Sequence, residues 1–172
     1  MDTSSVTALL VSKHYDTLKW LARERRRRSK HDHTMMTTDI LHESWLKIRE
    51  SSEWRDENHF LKSAAQAMRH VLVDYARAKM TNKRAHNGHY SLDELSECLP
   101  EFSESPEQII AIADLRDSLK GINSRYKDVL DLRYFGGFTE EEAAKILDVS
   151  ARTIRRDWVF IKAWIANALD KS

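Results

Sequence analysis

Phe60, Ala64, Met68, Val71 and Tyr75 follow one another at intervals of four, four, three and four residues. That spacing lines one face of an α-helix, because about 3.6 residues complete a turn. Leu61, Ala65 and Leu72 widen the stripe, as expected of a helix packed on two sides. Such a helix needs other helices to cover it, and the rest of the chain supplies the same period. Val11, Tyr15, Leu18 and Ala22 form one such face, and Leu41, Trp45 and Ile48 another. Ile109, Ile112, Leu115 and Leu119 form a third face that stops at Gly121. Tyr126, Val129, Leu130 and Tyr134 then run to Gly136-Gly137. Only 4 glycines and 2 prolines occur in 172 residues, too few for the many turns of a β-sandwich. The expected fold class is all-α.

Charge divides the chain. Residues 1–90 hold 17 Lys/Arg against 11 Asp/Glu, residues 91–107 hold six acids and no base, and residues 108–172 hold 11 bases and 10 acids. The net charge of +1 therefore hides a basic front, an acidic middle and a mixed end. The acidic stretch also carries Gly88, Pro100, Pro106 and several serines without apolar periodicity. It reads as a flexible linker, residues 87–106, between two small helical domains, 1–86 and 107–172. Cys98 is the single cysteine, which excludes a disulfide framework and fits a reducing cytoplasm. No apolar run approaches the ~20 residues of a membrane span, and the N-terminal residues are too polar for a signal peptide.

Residues 138–165 carry the most information. Thr139 precedes Glu140, Glu141 and Glu142, an N-cap followed by acids where the helix dipole favours them. Ser150 is a second N-cap after a break at Asp148-Val149. With Ile154 at the origin, Trp158, Ile161 and Ile165 fall at about 40°, 340° and 20° around the last helix, a narrow core stripe. Arg155, Arg152 and Arg156 fall at about 100°, 160° and 200°, on the outer face near the helix start. A helix-turn-helix needs one face in the core and the other in the major groove, with base contacts from its first turns. Arginine suits that face because its planar fork pairs with guanine or grips phosphate. The plainer alternative is an amphipathic helix with a solvated basic face.

Residues 130–165 resemble domain 4 of bacterial sigma factors of the extracytoplasmic-function type, in which this pattern recognises the −35 promoter element. Residues 14–28, 37–48 and 59–84 resemble the helices of that family's domain 2, in the family's order. The resemblance implies a protein that is not an enzyme and has no cofactor. It would bind core RNA polymerase, place it on promoter DNA and help open the duplex. Arg152, Thr153, Arg155 and Arg156 would face the −35 element, and Arg69, Arg77, Lys79, Lys83 and Arg84 would lie along the −10 region. The spacing of 69, 77 and 84 independently suits a stripe that tracks phosphates, against the alternative of a solvated surface. Trp54 lies where the family captures a flipped base, with Arg55, Asn58 and His59 beside it. The alternative for Trp54 is a core or hinge role.

One departure from the family stands out. Its second helix normally opens with an acidic cluster that docks on polymerase, and here those positions read Met36-Thr37-Thr38-Asp39. Docking would then rest on Asp39, Leu41, Glu43 and Trp45. Alternatively, phosphate on Thr37 or Thr38 would restore about −1.5 to −2 charge, making a Ser/Thr kinase a partner. An anti-sigma factor is the family's common regulator. His31, His33 and His42 match no metal-ligand spacing, so no metal site is expected. The rival function is an autonomous helix-turn-helix regulator that binds a palindromic operator without polymerase. No Gly-rich phosphate loop or nucleophile elbow supports an enzyme.

Overall fold

A computed structural model describes residues 54–85 and 106–171, together with Leu9, Ser12, Leu46 and Ile48. These residues form five α-helices: α1 (Glu57–Ala85), α2 (Pro106–Ile122), α3 (Ser124–Leu130), α4 (Glu140–Leu147) and α5 (Ala151–Leu169). Among the described residues there is no strand. Residues 86–105, Cys98 among them, and all of the first two predicted helices except Ser12, Leu46 and Ile48 lie outside the described residues.

Each boundary has a local cause. Asp56 precedes α1, and its Oδ1 accepts the His59 backbone N–H at 2.8 Å. Pro106 opens α2 at the position where its missing N–H costs nothing. That start falls one residue before the expected domain boundary. Asn123 caps α3, with its side chain accepting from the Arg125 backbone N–H at 3.0 Å.

The expected helix from Tyr126 to Tyr134 is not continuous. After Leu130 it widens into a π-helical turn, Asp131–Phe135. Asp131, the first residue of this turn, is 2% exposed and held by Arg116 of α2. The turn ends as Gly136 and Phe138 donate backbone hydrogen bonds to Asp131 and Leu132.

The core is one cluster. Ile109, Ile112 and Leu119 of α2 meet Leu130, Tyr134 and Phe135 of the turn region, and Ile154, Trp158, Ile161 and Ile165 of α5. Phe60, Ala64, Met68 and Leu72 of α1 belong to the same cluster. Burying each large side chain stabilises by roughly 1.5–3 kcal/mol. Helix α1 packs along α2, the π-helical turn and α4, so the front and back modules read from the sequence share a core.

Candidate nucleic-acid interface

The helix-turn-helix is α4, the turn Asp148–Ser150 and α5. A reciprocal cap opens α4: Thr139 Oγ1 accepts from the Glu142 N–H at 3.2 Å, and Glu142 Oε2 accepts from the Thr139 N–H at 2.7 Å. Asp148 closes it in the left-handed region, φ 53°, where short Asp side chains are tolerated. The Val149 N–H returns to the Ala144 carbonyl at 3.0 Å. Ser150 Oγ then accepts from the Thr153 N–H at 3.1 Å, starting α5. Side-chain caps thus start both helices, and the left-handed Asp148 turns the chain between them.

Ile154, Trp158, Ile161 and Ile165 are buried, as the periodicity predicts. Arg152, Arg155 and Arg156 are exposed on the opposite side. Arg155 Nε donates to Glu140 Oε2 at 2.8 Å, which ties the base of α5 to the first turn of α4. Thr153 is half-buried, and its hydroxyl is 2.9 Å from Ser150 Oγ, so it also belongs to the cap.

The structure adds residues that the sequence reading missed. Asp157 is 1% exposed and holds two arginines. Arg125 Nε donates to it at 2.7 Å and Arg156 Nη2 at 3.4 Å. The hydrogen bond to Asp157 raises the Arg125 pKa above its ordinary value. The helical wheel carried a signal for this: Asp157 falls at about 300°, beside the core stripe and not on the basic face. Arg133 sits over the Trp158 ring at 5.4 Å and donates to the Phe138 carbonyl, bracing the turn from below.

The front residues separate. Arg77 is exposed on α1. Arg69 is not: its side chain is 15% exposed, with Nε 3.1 Å from Asp131 Oδ1. Eight residues carry the helix about 80° around, enough to turn position 69 onto the packed face while 77 stays in solvent. The side chains of Lys79, Lys83 and Arg84 lie outside the described residues, as do Thr37, Thr38, Asp39, Leu41, Glu43, Trp45, His31, His33 and His42.

Trp54 is half-buried, edge-on to Phe60 at 5.3 Å and 5.8 Å from the His59 ring. It packs against the core. Arg55 and Asn58 are exposed nearby, and Asn58 Nδ2 donates to the Lys145 carbonyl at 3.5 Å.

Among the described residues no cluster of His, Cys, Asp and Glu is able to hold a metal ion. No helix among them is long and apolar enough to cross a membrane.

Comparison with curated proteins and with solved structures finds no match. The model of the ECF sigma factor family matches residues 3–171. Proteins of this family are not enzymes as a class. They bind DNA and core RNA polymerase in transcription initiation, often under anti-sigma factors. The all-α fold and the capped helix-turn-helix agree with that match, which spans nearly the whole length, and the chain belongs to the ECF sigma factor family, whose members are alternative sigma factors directing transcription.

Proposed function

We propose that α5 reads the −35 element and that the basic end of α1 follows the −10 region, residues 1–86 and 107–172 acting as the two promoter-binding domains of one initiation factor. The observation that carries this reading is the placement of Arg152, Arg155 and Arg156 outside a fully buried apolar stripe, on a helix started by Ser150. Arginines so placed reach guanine edges or phosphates in the major groove. The basic residues Arg77, Lys79, Lys83 and Arg84 supply charge for phosphate tracking along α1.

Polymerase docking falls to Asp39, Leu41, Glu43 and Trp45, with phosphate on Thr37 or Thr38 replacing the carboxylates that the family carries there. A doubly charged phosphate at a helix start gains from both the dipole and a basic partner surface. Core polymerase should bind Thr37→Glu/Thr38→Glu more tightly than the unmodified chain, and Thr37→Ala/Thr38→Ala should resist activation by a kinase. Equal binding of all three forms removes the phosphate from the reading.

The promoter assignment is tested by transcription with core polymerase from a −35/−10 template at several salt concentrations. Arg156→Ala should flatten the log–log salt slope of promoter binding by about 0.9 if it neutralises one phosphate. Sequence-specific DNA binding that gains nothing from polymerase would overturn the assignment in favour of an autonomous regulator.

A further inference from the structure

Arg69 belongs to the set expected along the −10 region; of its two members whose side chains are described, Arg77 is exposed and Arg69 is turned inward. Its Nε sits 3.1 Å from Asp131 yet is buried without a hydrogen bond, so the contact is an ion pair of poor alignment. Arg116 holds the same carboxylate far better. Its Nε lies 2.8 and 2.9 Å from the two oxygens, and its Nη2 lies 2.6 Å from Oδ2. A second pair, Lys62 Nζ to Asp128 Oδ2 at 3.3 Å, also joins α1 to the helices behind it.

We infer that Arg69–Asp131 and Lys62–Asp128 form a clasp that closes α1 onto α3 and the π-helical turn in the free chain, with Asp131 occupying the place on Arg69 that a DNA phosphate takes when the clasp opens. The inference rests on the proposed reading of α1 as a promoter-facing helix. A carboxylate and a phosphate compete for the same guanidinium, so the closed arrangement and an Arg69–DNA contact exclude each other.

Three features lower the cost of opening the polar part of the seam. Opening leaves Asp131 with its better partner, Arg116, so no buried carboxylate is orphaned. The released Arg69 regains hydration, which offsets much of the lost attraction. An open cleft of about 360 Å³ lined by Arg69, His70, Asp74, Arg77, Asp114 and Asp117 leaves one edge of the seam unpacked.

The test uses the full chain with Cys98→Ser and spin labels at Thr81→Cys on α1 and Ala163→Cys on α5, both exposed positions. Pulsed EPR reads their separation in the parent, in Lys62→Asp, in Asp128→Lys and in the double exchange. Each single change sets like charges together, although they alter net charge in opposite directions. Both should lengthen and broaden the distance distribution, and the double exchange should restore the parent's. Binding of a forked DNA probe is then measured with and without Arg69→Ala. In the opened variants Arg69→Ala should weaken binding about tenfold, and in the closed parent about twofold or less, because only an open population exposes the guanidinium.

Unchanged distances in both single variants overturn the clasp. So does an Arg69→Ala effect of equal size in open and closed forms. Transcription by the same proteins with core polymerase separates the two readings. A parent chain that initiates at promoters keeps the proposed function whatever the clasp does. A chain that initiates nowhere, either unmodified or as Thr37→Glu/Thr38→Glu, removes that function, and with it the DNA phosphate at Arg69, so the inference falls too.

Discussion

Gly136 and Gly121 show how one residue type plays opposite parts. A Cβ on Gly136 would stand 2.8 Å from the Leu132 carbonyl oxygen and 2.8 and 2.9 Å from two carbons of the Phe138 ring. Phe138 is 1% exposed, so neither neighbour has room to retreat. The sequence stops α2 at Gly121, but the helix runs one residue further, to Ile122, and Gly121 lies in its last turn with nothing within 4 Å of its Cβ position. Gly136→Ala should therefore destabilise by about 1–3 kcal/mol, the usual cost of overpacking. Gly121→Ala should stabilise by about 0.5–1 kcal/mol, since it only restricts the unfolded chain. Thermal unfolding of the two variants beside the parent reads both signs. Both glycines were legible as breaks in the apolar pattern. Their difference was not, because it depends on a ring three-dimensionally adjacent to one and absent from the other. Arg155 and Arg156 divide in the same way. Spacing places both on the outer face, whereas only the fold reveals that Glu140 steers one and Asp157 the other.

At the scale of elements, the caps are what the sequence announces most reliably. Thr139 and Ser150 start their helices through the hydrogen bonds expected of an N-cap. Thr139→Ala should cost about 1 kcal/mol in chemical denaturation, whereas Glu142→Gln should cost little, because a Gln carbonyl also accepts from the Thr139 N–H. A large loss in Glu142→Gln would show that its charge, and not its hydrogen bond, holds the turn. The π-helical turn was illegible for a physical reason. Tyr126, Val129, Leu130 and Tyr134 keep helical spacing across the inserted register, so periodicity alone reads one helix. Within the wider turn Asp131 meets a buried partner fifteen residues away, Arg116, and no local pattern encodes that pairing. The same holds for the contact of Asn58 with the end of α4, which joins segments 87 residues apart.

Across the whole molecule, charges decide how the two halves meet. The sequence divides them at an acidic stretch, and the structure joins them through apolar residues of α1 and one shared carboxylate, Asp131. Burial pushes the Asp131 carboxyl above its ordinary range, against the pull of Arg116 and Arg69, and burial also lowers the Arg69 guanidinium. Desolvation on both sides of this contact means that its net stabilisation is small, while deleting the carboxylate by mutation strands a buried cation. The consequence is asymmetric. Asp131→Asn leaves Arg116, 8% exposed, with the exposed Asp117 as the acid it hydrogen-bonds. It should lose about 3–5 kcal/mol, the range for breaking a buried pair from one side. Arg69→Met keeps the apolar stem against the core and leaves the Arg116–Asp131 pair whole. It should cost about 1 kcal/mol or less, because the ion pair it removes lacks a formed hydrogen bond. Urea denaturation of the full chain measures both. Comparable losses in the two variants would mean that Arg69 is a structural member of the core, permanently committed to Asp131, and that α1 cannot leave this face without unfolding it.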